Sequence, residues 1–122
     1  TNDADGLAAF ILDTRCSIAL PLVVRHTLAV LGPDWSLYFY HGPRNERCVK
    51  EALSDVRGVA FVNIGVDFVD DAAYNTIMKS NKMVWHPLQQ DGVGKLLVFQ
   101  ADSIVLHGNI TEFLEWDYVS FI

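Results

Sequence analysis

The chain has 122 residues, 51% of them hydrophobic and 20% charged, with a formal net charge of −6. That is enough apolar material for one domain with a real core, and it excludes a disordered chain. No cluster of Lys and Arg is present, which argues against nucleic acid and against a polybasic membrane contact; no apolar run reaches the length of a bilayer span.

Residues 1–6 form an acidic lead-in, without an initiator Met. The apolar run over 8–14 predicts a buried strand that ends in an acid and a hydroxyl, Asp13 and Thr14. Ser17 offers an N-cap, with Pro21 close behind, for an apolar helix carrying Ile18, Leu22, Val23, His26, Leu28, Val30 and Leu31 and stopping at Gly32-Pro33. An aromatic-rich strand over 35–40 closes at His41-Gly42-Pro43. Asn45 or Arg44 opens a polar helix through 56, with Val49, Ala52, Leu53 and Val56 on one face. A third strand over 59–64 ends at Gly65. Asp70 or Asp71 caps a helix carrying Tyr74, Ile77 and Met78, and 81–87 continues less regularly. A loop over 91–94 leads into a strand that starts at Lys95. A short strand over 104–106, a brief helix over 112–115 capped by Thr111, and a strand over 118–122 follow.

Strands alternating with helices predict an α/β fold: a three-layer, Rossmann-like domain over 7–122 with a mainly parallel sheet and right-handed crossovers. The chain closes inside an apolar run, so it reads as an excerpt, truncated at the C-terminus, with any anchor or targeting signal outside it. Cys16 and Cys48 could pair, but two cysteines are not a disulfide framework; each is expected as a small buried residue, with free thiols favoured over a bridge. No Cys/His spacing resembles a zinc site.

The stretch Lys95-Leu96-Leu97-Val98-Phe99-Gln100-Ala101-Asp102-Ser103 carries the functional argument. Its apolar half reads as a strand buried on both faces. An ionised carboxylate does not stay in such a core without a partner. Asp102 is therefore expected where the strand emerges, at the carboxyl edge where α/β sheets bind ligands. Its competing role is a turn residue that bonds nearby amides. Asp13, Thr14 and Arg15 end the first strand and are expected beside the Asp102 strand. Arg15 suits a phosphate there; equally, Asp13 and Thr14 suit the cap of the following helix.

The segment Leu97-Val98-Phe99-Gln100-Ala101-Asp102-Ser103-Ile104-Val105-Leu106, followed by Asn109-Ile110-Thr111-Glu112-Phe113-Leu114, resembles the centre of GT-A glycosyltransferases, where a hydrophobic strand ends in Asp-x-Asp. Over nearly its full length the chain is similar to the DUF5672 group of GT-A-like proteins. The segments that carry this are Leu12-Asp13-Thr14-Arg15, Val30-Leu31-Gly32-Pro33-Asp34-Trp35, Tyr74-Asn75-Thr76-Ile77-Met78-Lys79-Ser80, Phe99-Gln100-Ala101-Asp102-Ser103 and Trp116-Asp117-Tyr118.

The resemblance implies a GT-A fold and transfer of a sugar from a nucleotide donor, a UDP- or GDP-sugar, to an unknown acceptor. Donor-binding residues would be Asp13, Thr14, Arg15, Lys79, Ser80, Gln100, Ala101, Asp102 and Ser103, and Asp117 would touch a sugar or acceptor hydroxyl. Mn²⁺ or Mg²⁺ would bridge Asp102 and the diphosphate, neutralising the leaving group as a Lewis acid. The triplet Gln100-Ala101-Asp102 keeps only the second acid of the pattern, which lowers cation affinity. The missing acid also suits the alternative, a non-catalytic nucleotide-binding module that retains the fold and has lost transfer.

Each of these residues has a plainer role beside the functional one. Lys79 suits a solvated helix face, Asp117 a turn, and Trp85 and Trp116 core packing rather than sugar stacking. Asn109-Ile110-Thr111 fits a glycan-acceptor triplet, or a turn followed by a Thr cap. The Gly-rich dinucleotide loop, the Gly-rich Lys-Ser/Thr phosphate loop and the Gly-x-Ser-x-Gly elbow are all missing. The acceptor site and any catalytic base are expected beyond Ile122, so this segment alone is not expected to turn over.

Overall fold

A computed structural model of the chain describes residues 6–100 and the backbone of 118–120. The expectations for residues 101–117 lie outside them: Ala101, Asp102, Ser103, the 104–106 strand, the Asn109-Ile110-Thr111 triplet, the 112–115 helix, Trp116 and Asp117.

The elements run β1 (Gly6–Leu12), α1 (Ala19–Leu31), β2 (Trp35–His41), α2 (Glu46–Ala52), β3 (Val59–Asn63), α3 (Asp71–Met78), a π-helical turn (Asn81–Trp85), α4 (His86–Gln90), β4 (Val93–Val98) and β5 (Tyr118–Ser120). The strands form one five-stranded sheet in the order β3-β2-β1-β4-β5, and every pairing is parallel. The chain walks outward from β1 to β3, then crosses back to place β4 on the other side of β1. This α/β architecture has three layers and is Rossmann-like, as the alternating pattern predicts.

The period of two in each strand sorts side chains to opposite faces. Ala9, Ile11, Leu37, Phe39, Leu97 and Phe99 pack with Leu20 and Val24 of α1 and Val49 of α2. Ala8, Phe10, Leu12, Tyr40, Leu96 and Val98 pack with Ile77 and Met78 of α3, Val84 of the π turn and Leu88 of α4. The helices before the crossover thus cover one face and those within it cover the other, as right-handed connections require when the direction of travel reverses.

Several boundaries differ from the sequence expectation. Gly6 belongs to β1 rather than to the lead-in, and β1 ends at Leu12, although the Asp13 N–H still donates to the Tyr40 carbonyl at 3.0 Å. β4 starts at Val93 because the turn is confined to Asp91 and Gly92, the latter at φ 87°. α2 is shorter than expected, ending at Ala52.

The face of α1 also differs. Leu20, Val24 and Thr27 are its buried residues, while Ile18 and Leu22 are 91% and 65% exposed. Apolar residues surround most of this helix, so their positions do not single out the stripe that follows the 3.6-residue period. The expected cap by Ser17 is a local turn instead: its Oγ accepts from Ala19 N–H at 3.2 Å, and Ile18 occupies the cap position.

The irregularity after α3 is a π turn whose backbone is satisfied by side chains. Ser80 Oγ accepts from Met83 N–H at 3.1 Å, the Tyr40 hydroxyl donates to the Met83 carbonyl at 2.7 Å, and Trp85 Nε1 donates to the Met78 carbonyl at 2.7 Å.

The free-thiol expectation is overturned. Cys16 and Cys48 form a disulfide, with Cα atoms 6.2 Å apart, and Cys16 is exposed rather than buried. Thirty-two positions separate them in sequence; only the packing of α2 against the sheet beside β1 brings them within bonding reach.

Candidate functional site

An open cleft of about 950 Å³ lies at the carboxyl edge of the sheet. Leu12, Asp13, Thr14 and Arg15 at the end of β1, with Ser17 and Ala19, form one wall. Residues 67–71 together with Tyr74 and Asn75 of α3 form the other, and Gln100, two residues past β4, closes the floor between them. β1 and β4 are hydrogen-bonded neighbours, a contact extended by Phe99 N–H donating to the Phe10 carbonyl at 3.0 Å. They are also the two strands between which the chain reverses direction. Adjacent loops leave such a switch point on opposite faces, opening a crevice into which the strand ends project.

The β1 wall is built from the inside outward. Asp13 is 7% exposed. Its Oδ1 accepts from the Arg15 N–H at 2.8 Å, and the carboxylate takes the guanidinium side-on, Nε to Oδ1 and Nη2 to Oδ2, both at 3.2 Å. Asp13 therefore shapes the turn after β1 and does not cap α1. The Arg15 side chain lies 76% exposed on the cleft side of that pair.

Behind it stands Asn45, a polar residue only 3% exposed. Its amide Nδ2 donates to the Asp13 carbonyl at 2.8 Å and to the Arg15 carbonyl at 2.9 Å, while Oδ1 accepts from Gly42 N–H at 2.8 Å. A Cβ at Gly42 would collide with the Val66 carbonyl oxygen, so glycine alone lets the β2–α2 turn sit against the opposite wall.

The β3–α3 wall starts at Gly65 and carries Phe68, 77% exposed. Asp67 Oδ1 accepts from the Arg44 N–H at 2.8 Å, and its Oδ2 stands 3.4 Å from Arg44 Nε. Asp70 caps α3, accepting from Ala73 N–H at 2.8 Å.

The structure thus brings Asp13, Thr14, Arg15 and Gln100 to one cleft. Lys79 and Ser80 do not line it: Lys79 is the exposed C-cap of α3, at the far end from Asp70, and Ser80 caps the π turn. Trp85 packs with the second core cluster, its indole bound to the Met78 carbonyl. Tyr38, pushed up to about 12 by its burial and then by Asp91, also lies outside the cleft lining.

Sequence reasoning missed Asp67, Phe68, Tyr74 and Asn75 as cleft residues. The available signal was the crossover: a helix that links β3 to a strand beside β1 must start next to the β1 tip.

Four carboxylates, Asp13, Asp67, Asp70 and Asp71, line the cleft with one guanidinium, Arg15. Three of the four are engaged by Arg15, by Arg44 and by the α3 backbone. Among the described residues, no group of three or more His, Cys, Asp or Glu is arranged to hold a metal ion. The described residues alone therefore do not fit a divalent cation. Nor is any helix among them long and apolar enough to cross a membrane.

No protein-family model, curated protein or solved structure matches the chain.

Proposed function

We propose that the cleft binds the nucleotide of a UDP- or GDP-sugar and that the chain is the donor-binding part of a GT-A-type glycosyltransferase of the DUF5672-like kind. The observation that carries this reading is the cleft itself. It sits at the switch point, between the tip of β1 and the residue that leads from β4 toward Asp102. Its size suits a ligand of that class. Phe68 and Tyr74 give it aromatic surface, while Arg15, Asn75 and Gln100 give it polar groups for ribose and phosphate oxygens. Ala101, Asp102 and Ser103 would complete the β4 side. A role for Mn²⁺ or Mg²⁺ rests on Asp102 with the donor's own oxygens, since three of the four described cleft carboxylates are engaged elsewhere and no described group is arranged to hold a metal ion.

One observation favours the second reading, a nucleotide-binding module without transfer. Asp13, just past the end of β1 and beside the β4 side of the cleft, is held by Arg15, which leaves it unsuited to stand in for the acid that Gln100 replaces.

Titration calorimetry with UDP and with GDP, each with and without Mn²⁺, tests both readings. The donor reading expects one nucleotide to bind more tightly with Mn²⁺, and Asp102→Ala to abolish that gain. Absence of heat for both nucleotides rejects the nucleotide site, and unaltered Mn²⁺-dependent binding in Asp102→Ala removes the metal role. Nucleotide binding without donor hydrolysis or transfer, measured with Mn²⁺ in a protein that also carries the acceptor site, favours the module.

A further inference from the structure

We propose that the Cys16–Cys48 disulfide is a redox-sensitive latch on the β1–α1 wall of the cleft, so that the oxidation state of the bridge and occupancy of the cleft are thermodynamically coupled. The nucleotide reading enters only in the choice of ligand probe.

The β1–α1 loop lines the cleft through Asp13, Thr14, Arg15 and Ser17, and Cys16 lies among them. Two of its long-range ties run to the start of one helix. Asn45, the N-cap of α2, holds the carbonyls of Asp13 and Arg15; Cys48, three residues further on, holds Cys16. α2 is in turn seated on the sheet by Val49, with Leu53 just after it, both 2% exposed.

The two ties divide the loop. The Asn45 amide secures it up to residue 15. From Cys16 to the first turn of α1 the hydrogen bonds of Ser17 are local, its carbonyl and hydroxyl accepting from Leu20 and Ala19. For that half, which includes the cleft residues Ser17 and Ala19, the bridge supplies the covalent tie to α2, beside the packing of Leu20 in the same core cluster as Val49. Cys16 is an exposed residue, the side from which a soluble dithiol would approach the bridge.

The exchange step is balanced within itself. A thiolate of the dithiol attacks one bridge sulfur, the mixed disulfide is resolved by the second thiol, and the reductant leaves as its own disulfide; both cysteines end as thiols with the two electrons and two protons it gave up. If the bridged loop is the form that fits the ligand, reduction weakens binding, and ligand must oppose reduction by the same factor.

The test uses the full chain, dithiothreitol and UDP. UDP affinity is expected to fall roughly tenfold on reduction and to return on reoxidation. Saturating UDP should raise the ratio of reduced to oxidised dithiothreitol at half-reduction by the same factor. A bridge that serves stability alone would show neither the matched shift nor the reciprocity. A Cys16→Ser/Cys48→Ser variant should bind like the reduced protein and ignore dithiothreitol. Equal affinity in both redox states with an unmoved midpoint overturns the latch.

If UDP binds neither form, the nucleotide reading fails and amide hydrogen exchange decides the latch. Faster exchange at residues 16–20 on reduction, with α3 unchanged, supports it; unchanged exchange at 16–20 overturns it.

Discussion

The two walls of the cleft are held in different ways. The β1–α1 wall is rooted in the interior, where the buried amide of Asn45 meets the carbonyls of Asp13 and Arg15 and a disulfide closes the same loop onto α2. The polar contacts of the β3–α3 wall lie on the outside, at Arg44, whose side chain is 87% exposed, and at the Asp70 cap, while Val69 and Tyr74 pack only partly buried against the core. Buried hydrogen bonds and a covalent closure resist opening by several kcal/mol, whereas an exposed ion pair contributes about 0–1 kcal/mol. The weakly held wall is also the one that carries an exposed aromatic ring, Phe68. One wall therefore fixes the geometry of the cleft, while the other brings exposed aromatic surface to it.

The largest expected effect falls on the fixed wall. Replacing both cysteines by serine should lower unfolding stability by roughly 3–4 kcal/mol, the loop-closure entropy of a bridge of this span. Urea denaturation of the variant beside the oxidised parent measures it. A change below about 1 kcal/mol would mean the wall holds without the bridge, and the contrast between the walls would shrink to hydrogen bonds alone.

Asn45→Ala comes next, at about 2–3 kcal/mol. It leaves the Asp13 and Arg15 carbonyls and the Gly42 N–H without their partner, and a buried polar group left unpaired costs about 1–3 kcal/mol. The same denaturation series checks this value. Because Asn45 and Cys48 hold one loop, the triple variant should lose less than the sum of the separate losses.

The contrast also explains what the sequence made legible. The strands were readable because both faces of the sheet are covered, so β1 and β4 are nearly continuous apolar runs such as Ala8-Ala9-Phe10-Ile11-Leu12. Their ends marked Asp13, Thr14, Arg15 and Gln100 as cleft residues, since polarity begins where burial stops. The rest depends on contacts between distant segments. Nothing local to Cys16 announces Cys48, and Asn45 looks like a helix cap until β1 is set beside α2. Phe68 was invisible for the opposite reason: an aromatic residue flanked in sequence by Val66 and Val69, with Asp67 between, reads as core, and the turn at Gly65 and the seat of Asp67 on Arg44 carry it outward.

Phe68→Ala is the smallest expected perturbation of the fold and the sharpest test of the second wall. Its ring is 77% exposed, so truncation removes little buried area and should change stability by no more than about 0.5 kcal/mol. Binding should respond quite differently. A base stacked on an aromatic side chain contributes about 1–3 kcal/mol, so calorimetry should show UDP affinity falling roughly tenfold while the denaturation curve stays in place. Phe68→Tyr, which keeps the stacking face, should restore it. An affinity that ignores both substitutions would show that the exposed ring plays no part in binding the nucleotide, and the fixed wall alone would then have to account for recognition.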